Sequence, residues 1–353
     1  MSRLLTYMAR RIGAGALTLC TVLALTFAIY WALPTQPANF VYPEAPSLTG
    51  YQVAHARHLL GLDRPKIVQY GDYLSHLLRG DLGNQWAGTK LIENKQLSQR
   101  PIGQVLWPDL RITLSIILGG SLLVLLFAVP FGTFAGSRVG SWTDRTISLV
   151  ALIGICMHPM VVGLILEGTF GHLREFRIAG YCPLVPGHGA LCGGLTDWTT
   201  HLILPWITFA LLFLALYTRM IRHTVAETLL EDFVRTARAK GASERRVLTF
   251  HVLPLASLRV LTMVGMEIGT AIGVAIFIEA AFGIRGLGRL AVVAMGGANR
   301  TLDLPLILAV VSVITVIVVV GNLVVDLLYA ILDPRAGRET VRTRTKSLAG
   351  GVF

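Results

Sequence analysis

The chain has 353 residues, of which 54% are hydrophobic and only 14% charged, with a mean hydropathy of +0.64. Such a composition is too apolar and too sparsely charged for an ordinary soluble domain, and it defines a polytopic membrane protein. The formal net charge of +11 does not require a nucleic-acid partner, because the basic residues follow the topology described next.

A spanning helix needs about 20 apolar residues. Six stretches meet that length: 12–33, 111–136, 146–167, 201–221, 258–281 and 304–331. Their continuous apolar runs exclude a transmembrane barrel, whose strands alternate. The predicted fold is therefore all-α with six transmembrane helices. With six spans, segments 1–11, 137–145, 219–259 and 332–353 share one side and hold 18 Lys and Arg, against 5 in the opposite loops 168–200 and 282–303. The positive-inside rule places both termini and the 219–259 segment in the cytoplasm of a plasma or inner membrane. The expected organisation is a leader and first span over 1–33, an external region over 34–110, a five-span core over 111–332 carrying a loop at 222–257, and a basic tail over 333–353.

In chain order, Ser2 to Arg11 is a short basic leader. The apolar run after it is longer than a signal-peptide core and ends at Pro34 rather than at a small-residue cleavage site, so it reads as an anchored span. The first third of the external region is rich in proline and reads as an irregular excursion. Beyond it, Ile67, Tyr70, Leu74, Leu77 and Leu78 fall at helical spacing between Pro65 and Gly80 and predict an amphipathic helix with one apolar stripe. Pro130 and Pro159 are expected inside the second and third spans, bending each. His158 has no carboxylate near it in sequence and reads as a packed or hydrogen-bonded bundle residue.

The external loop after the third span contains Cys182 and Cys192, ten residues apart. That spacing is too long for a zinc CxxC pair, and His188 between them does not complete a metal set. Outside the membrane the two thiols are expected to pair, for roughly 2 to 3 kcal/mol of stabilisation on the loop-entropy model.

Glu231 to Pro254 is polar and strongly basic between two apolar blocks. Phe233, Val234 and Ala237 recur at helical spacing, Lys240 occupies the last turn, and Gly241 stands where a left-handed residue ends a helix at least cost. Ser243 is expected to cap a second short helix through Val247, Leu248 and Phe250, stopped by Pro254. Two short helices and a tight turn make a rigid knob at the membrane face. Arg235-Thr236-Ala237, three residues, Gly241, nine residues and His251-Val252-Leu253-Pro254 resemble the cytoplasmic coupling loop of ABC importer permeases, and Val234 to Gly241 has the form found in their dipeptide, oligopeptide and nickel branch. Arg235 and Thr236 replace the usual Glu-Ala, and His251 replaces Ile.

The fifth span carries Gly265, Gly269 and Gly273 at every fourth position, a smooth face for a neighbouring helix. Glu267 and Glu279 lie in or at its edge, about 120° apart on an ideal helix, which does not suit paired acid/base chemistry. The text from Glu279 through Phe282, Gly286 and Gly288 is similar to the same family's turn near the outer gate, with Arg285 where proline is usual. Leu60 to Pro65 with Arg79 to Gly83, the turn Gly140 to Arg145, and Asn322 to Arg335 extend the resemblance over most of the chain.

That resemblance implies a type I importer fold. It implies that ATP and Mg are bound by two partner ATPases and not by this chain, and that a second homologous permease and an external substrate-binding protein complete the assembly in the lipid membrane. It further implies coupling through Asp232, Val234, Arg235, Thr236, Ala237, Arg238, Ala239, Lys240, Gly241 and Ala242. It makes Glu279, Phe282, Gly286 and Gly288 outer-gate residues. Peptide is the implied cargo, with nickel, glutathione or haem as family alternatives; a proton-coupled carrier working through Glu267, Glu279 or Asp326 is the rival from another class. No lysine follows a glycine, so the GxxxxGK[ST] phosphate loop is not written in this chain, and neither HExxH nor GxSxG occurs. No catalytic residue, metal site or enzyme activity is expected of it.

Overall fold

The computed structural model describes residues 2–32, 37–42, 49–87, 90–92, 96–171, 180–185, 192–296 and 302–332. The tail 333–353, the last residues of the Asn322 to Arg335 segment and His188 lie outside them. Helix α1 runs Ser2–Ala32, followed by α2 (Ala38–Val41), α3 (Gly50–Leu59) and α4 (Lys66–Leu78). Strands β1 (Lys90–Ile92) and β2 (Gln96–Ser98) form a short antiparallel hairpin before α5 (Gly103–Ser137). Then come α6 (Trp142–Cys156), α7 (Pro159–Phe170), α8 (Leu195–Thr228), α9 (Asp232–Ala239), α10 (Glu244–Val247), α11 (Leu253–Ala281), α12 (Leu287–Ala294) and α13 (Leu304–Leu332).

Five of these helical runs are long and apolar enough to cross a membrane, and α6 with α7 supplies a sixth crossing if the bent pair counts as one span. The third predicted span is thus not one helix. It breaks at Met157 and His158, and Pro159 does not sit inside a helix but opens α7, where its missing N–H is no loss. His158 is the N-cap, its Nδ1 accepting from the Met160 N–H at 3.3 Å.

The irregular excursion also needs correcting. Thr49 and Gln52 form a reciprocal capping box that starts α3, a Thr-x-x-Gln signal that satisfies two orphan N–H groups at once. Helix α4 occupies its predicted span, but its stripe divides. Tyr70, Leu74 and Leu77 pack inward, whereas Ile67 and Leu78 are exposed. Two phenols add polar ties: Tyr70 Oη donates to the Cys20 carbonyl at 2.8 Å, and Tyr73 Oη lies 2.7 Å from Ser312 Oγ, with burial pushing its pKa up to about 12.

The chain forms two compact units. One comprises Met1–Ile116, Leu173–Leu202 and Ala275–Ile317; the other comprises Ile117–His172, Ile203–Val274 and Val318–Phe353. In the first, Ile102, Leu106, Leu287, Leu306 and Ala309 form a buried cluster, and Leu23, Phe27, Trp86, Leu304 and Leu308 form another. Asp303 joins its parts. Fully buried, it accepts from the Trp86 and Ala87 N–H groups at 2.9 and 2.8 Å and from Leu306 at 3.3 Å at the start of α13. Burial pushes its carboxyl above the usual range, against the pull of the three donors. Removing it strands those N–H groups, at about 1 to 3 kcal/mol for each one left buried. Asp303→Ala is therefore expected to lower the thermal transition in detergent clearly, and Asp303→Asn less so; equal stability of Asp303→Ala and the parent would contradict this.

In the second unit, glycines set how closely helices approach. A Cβ at Gly119, Gly120, Gly132 or Gly136 of α5 would overlap Trp206, Phe209, Ile221 or the Arg222 carbonyl with Val225, all on α8. Between α11 and α13, Gly265 faces Val325 and Gly269 faces Val318, while Gly321 faces Ile268; Gly273 has no such neighbour. Of the three glycines predicted to form a seam on α11, only Gly265 is crowded by its neighbour, since a Cβ at Gly269 would meet Val318 at an ordinary 4.0 Å. Among lipid tails a helix gains little from hiding apolar surface from water, and close backbone packing of this kind supplies the cohesion.

Candidate functional site

Two groupings carry the residues singled out in the sequence, one in each unit. The knob begins where α8 ends at Thr228, seven residues beyond the predicted limit of that span. In α9, Val234 and Ala237 are buried and Asp232, Arg235, Thr236, Arg238, Ala239 and Lys240 are exposed. Two small apolar residues hold the helix down and leave a polar outer face. Gly241 has φ +85°, its N–H donates to the Arg238 carbonyl at 2.9 Å, and the Ala242 N–H returns to Ala237 at 3.1 Å. This is a Schellman-type ending, and it requires the left-handed conformation that glycine alone adopts without strain. Arg238 then reaches across the turn in a two-pronged contact with Glu244, at 2.7 and 3.0 Å.

Past the turn two expectations fail. Ser243 occupies the N-cap position of α10 without a side-chain cap bond, and Pro254 does not stop the helix. A π-turn over Leu248–Val252 leads directly into α11, with the Leu253 N–H bonded to the Leu248 carbonyl. Widening the turn before Pro254 is one way a helix accommodates a residue that has no N–H to donate. Val247 and Val252 are buried, whereas Phe233 and Phe250 are exposed.

Two ionic contacts beneath the knob join residues far apart in sequence. Asp144, in the first turn of α6 and buried, meets Arg222 through two contacts, one of 2.7 Å between Oδ2 and Nη2, and it also accepts from the Gly140 N–H at 2.9 Å. Arg259, on α11, donates to Glu227 at 2.9 Å, and Thr224 Oγ1 lies 3.4 Å away. Neither pair is signalled by local spacing.

In the other unit, Glu279, Phe282, Gly286 and Gly288 come together, all buried. The Glu279 carboxylate accepts from Thr113 Oγ1 at 2.5 Å, from the Gly288 N–H at 2.8 Å and from the Arg289 N–H at 3.4 Å. Thr113 in turn accepts from the Leu287 N–H at 2.9 Å. The carboxylate therefore closes the N-terminus of α12, where a negative group is favoured by the helix dipole. The glycines are steric necessities. A Cβ at Gly286 would overlap the Glu279 carboxyl, and one at Gly288 would stand 2.8 Å from Ile276. Gly283 bends the chain at φ +62°. Arg285, standing where proline was expected, is exposed and interacts electrostatically with Asp109, as does Arg289. A cleft of about 170 Å³ opens beside this turn, lined mainly by Ile276, Ala280, Ile284 and Val292 with Glu279 and Arg289.

Cys182 and Cys192 are disulfide-bonded, with Cα atoms 5.7 Å apart. Sequence reasoning overlooked His201, which is buried beside them. Its Nδ1 meets the Asp197 carbonyl at 2.7 Å, so the proton sits there, and Nε2 faces Cys182 Sγ at 3.5 Å. Among the described residues, no three His, Cys, Asp or Glu side chains converge on a possible metal site.

Long apolar helices with close glycine packing, a rigid polar knob between two of them and a carboxylate-locked turn describe a multi-pass membrane protein. The chain belongs to the binding-protein-dependent transport system inner membrane components: the family's profile matches residues 128–338, and the profile of its N-terminal region matches 4–90. It is 32% identical to the probable peptide ABC transporter permease protein y4tP of Sinorhizobium fredii, over 93% of this chain and 98% of that protein. Identity to the di/tripeptide transport system permease protein DppB of Pseudomonas aeruginosa is 33%, over 94% and 98%. For the glutathione transport system permease protein GsiC of Salmonella typhimurium it is 31%, over 94% and 98%.

Proposed function

We propose that this chain is the membrane-spanning permease subunit of an ATP-driven importer for short peptides, with both termini and the knob in the cytoplasm. Its partners in this reading are a second, homologous permease, two ATPases that bind ATP and Mg, and an external binding protein that delivers the cargo. Support for peptide comes from relatives named for dipeptide, di/tripeptide and peptide transport. Glutathione, the cargo named for other relatives, is itself a tripeptide and falls within the same chemical class. Nickel or haem uptake has no counterpart among the relatives compared above.

The observation that carries the reading is the Gly241 ending of α9. A lever must not bend where force enters it, and the left-handed glycine with its two backbone hydrogen bonds fixes α9 against α10. ATP-driven closure of the ATPases would push on the exposed face of α9, from Asp232 to Lys240, and α8 and α11 would carry the push into the spans as a two-state, rigid-body change. The outer turn at Glu279 to Gly288 would belong to the gate that this change opens.

Gly241→Pro cannot adopt the observed φ and also loses the bond to the Arg238 carbonyl. Arg238→Glu places two carboxylates together at an exposed pair worth only about 0.2 to 1 kcal/mol, so stability should hold. Both variants are expected to insert normally and retain ATPase partners while peptide uptake in proteoliposomes falls about tenfold or more, a coupling loss exceeding about 1.4 kcal/mol. Normal uptake in both would refute the lever. Uptake that persists without ATPases and collapses with an ionophore would favour the proton-coupled rival instead.

A further inference from the structure

One face of α8 carries Leu216, Arg219, Met220, His223 and Thr224, at the spacing that puts five side chains in a single stripe. Helix α11 brings Arg259 beside it, and the six residues line an open cavity of about 280 Å³. Its lining is graded along the helix. Leu216 supplies apolar wall on the side of the long hydrophobic run, Arg219 and Met220 stand side by side in the middle, and His223, Thr224 and Arg259 gather toward the knob. One carboxylate meets these cations: Glu227 Oε2 accepts from Arg259 at 2.9 Å and lies 3.3 Å from His223 Nδ1. Arg219 is exposed and has no ion-pair or hydrogen-bond partner among the described residues. The cavity therefore holds one unmatched positive charge when His223 is neutral and two when it is protonated.

We propose that this cavity binds a phosphate-bearing anion, with the head group of an anionic phospholipid as the occupant that uses its whole lining. Guanidinium forks match the oxygens of a phosphate, and the Thr224 hydroxyl lies within the same wall. Basic pockets between spanning helices at head-group level are suited to anionic lipids, and the apolar end offers an acyl chain a surface that inorganic phosphate would leave empty. Glu227 holds Arg259 and His223 in place without neutralising Arg219. A bound head group would tie α8 to α11 at the base of the knob. The proposal does not depend on which cargo the protein carries.

The test uses the full chain purified in mild detergent with whatever subunits accompany it. Bound lipid is counted by native mass spectrometry during titration with phosphatidylglycerol or phosphatidylcholine, with and without inorganic phosphate. Phosphatidylglycerol is expected to bind about tenfold more tightly than phosphatidylcholine, and Arg219→Gln to remove that preference, the loss of one charge-assisted contact. Arg219 is exposed and free of Glu227, so the variant should keep its thermal transition. Leu216→Trp, which fills the apolar end, should weaken lipid alone. Displacement by inorganic phosphate with Leu216→Trp unaffected would support the same anion chemistry with the free ion as occupant. Equal binding of the two lipids, or an Arg219→Gln variant with unchanged preference, would overturn the proposal.

Discussion

Replacing Glu279 with alanine is expected to destabilise the protein severely, while glutamine at the same position leaves it folded and transporting. Alanine leaves the Gly288 and Arg289 N–H groups without their acceptor in a site where Glu279 is 1% exposed, and leaves the Thr113 hydroxyl only its longer bond to the Asp109 carbonyl at 3.3 Å. Each buried donor without a partner costs about 1 to 3 kcal/mol, so the two N–H groups together remove a large part of the stability of a marginal fold. Glutamine keeps an acceptor oxygen for the two N–H groups and can turn its NH₂ toward Thr113 Oγ1. It cannot, however, carry a proton. Thermal unfolding in detergent measures the first effect and proteoliposome uptake the second. A Glu279→Gln variant that is stable yet inactive would assign the carboxylate a protonation role and move the reading toward the proton-coupled rival. Gly286→Ala should resemble Glu279→Ala in stability, because its methyl group and the carboxyl require the same space.

Arg222→Ala is the second large effect. It removes the guanidinium from a carboxylate that is almost entirely buried, and breaking a buried pair from one side typically costs about 3 to 5 kcal/mol. Arg222→Ala should therefore lower the unfolding transition strongly, and Arg222→Ala with Asp144→Ala should recover most of the loss, since no charge is then stranded. Additive losses in the double variant, read in a mutant cycle, would mean that the two residues act separately. Arg222 also lies where α5 comes closest to α8, with Gly136 against its carbonyl. The pair thus anchors the Gly140 to Arg145 turn to the helix that leads into the knob.

Much of this was legible in the sequence, for identifiable reasons. Spanning helices announce themselves because the bilayer fixes their length and leaves no alternative for unpaired backbone groups. The end of α9 was legible because only glycine sits comfortably at φ +85°. The Glu279 turn was recognised by its residue pattern, and the structure supplies the reason for that pattern in two glycines crowded by a carboxyl and by Ile276.

What stayed hidden depends on contacts that no local period encodes. Asp144 and Arg222 are 78 residues apart, and the glycines of α5 show their purpose only against Trp206, Phe209 and Ile221. The break before Pro159 was misplaced because a proline inside an apolar run looks the same whether it bends a helix or begins one. The helical spacing around Phe233 and Phe250 left open which face each takes, and both are exposed. In α3, the Thr49 capping signal was present but outweighed by the prolines around it.

The π-turn at Leu248–Val252 sets the phase between the knob and the span that follows. A residue added to a helix without lengthening it by a full turn twists everything downstream by about 100°. Deleting one residue there would restore an ordinary helix and aim α9 at a different quarter of the compass relative to α11. The length of this segment is therefore as constrained as its composition, and chimaeras that exchange the knob between relatives should keep the five-residue turn whole.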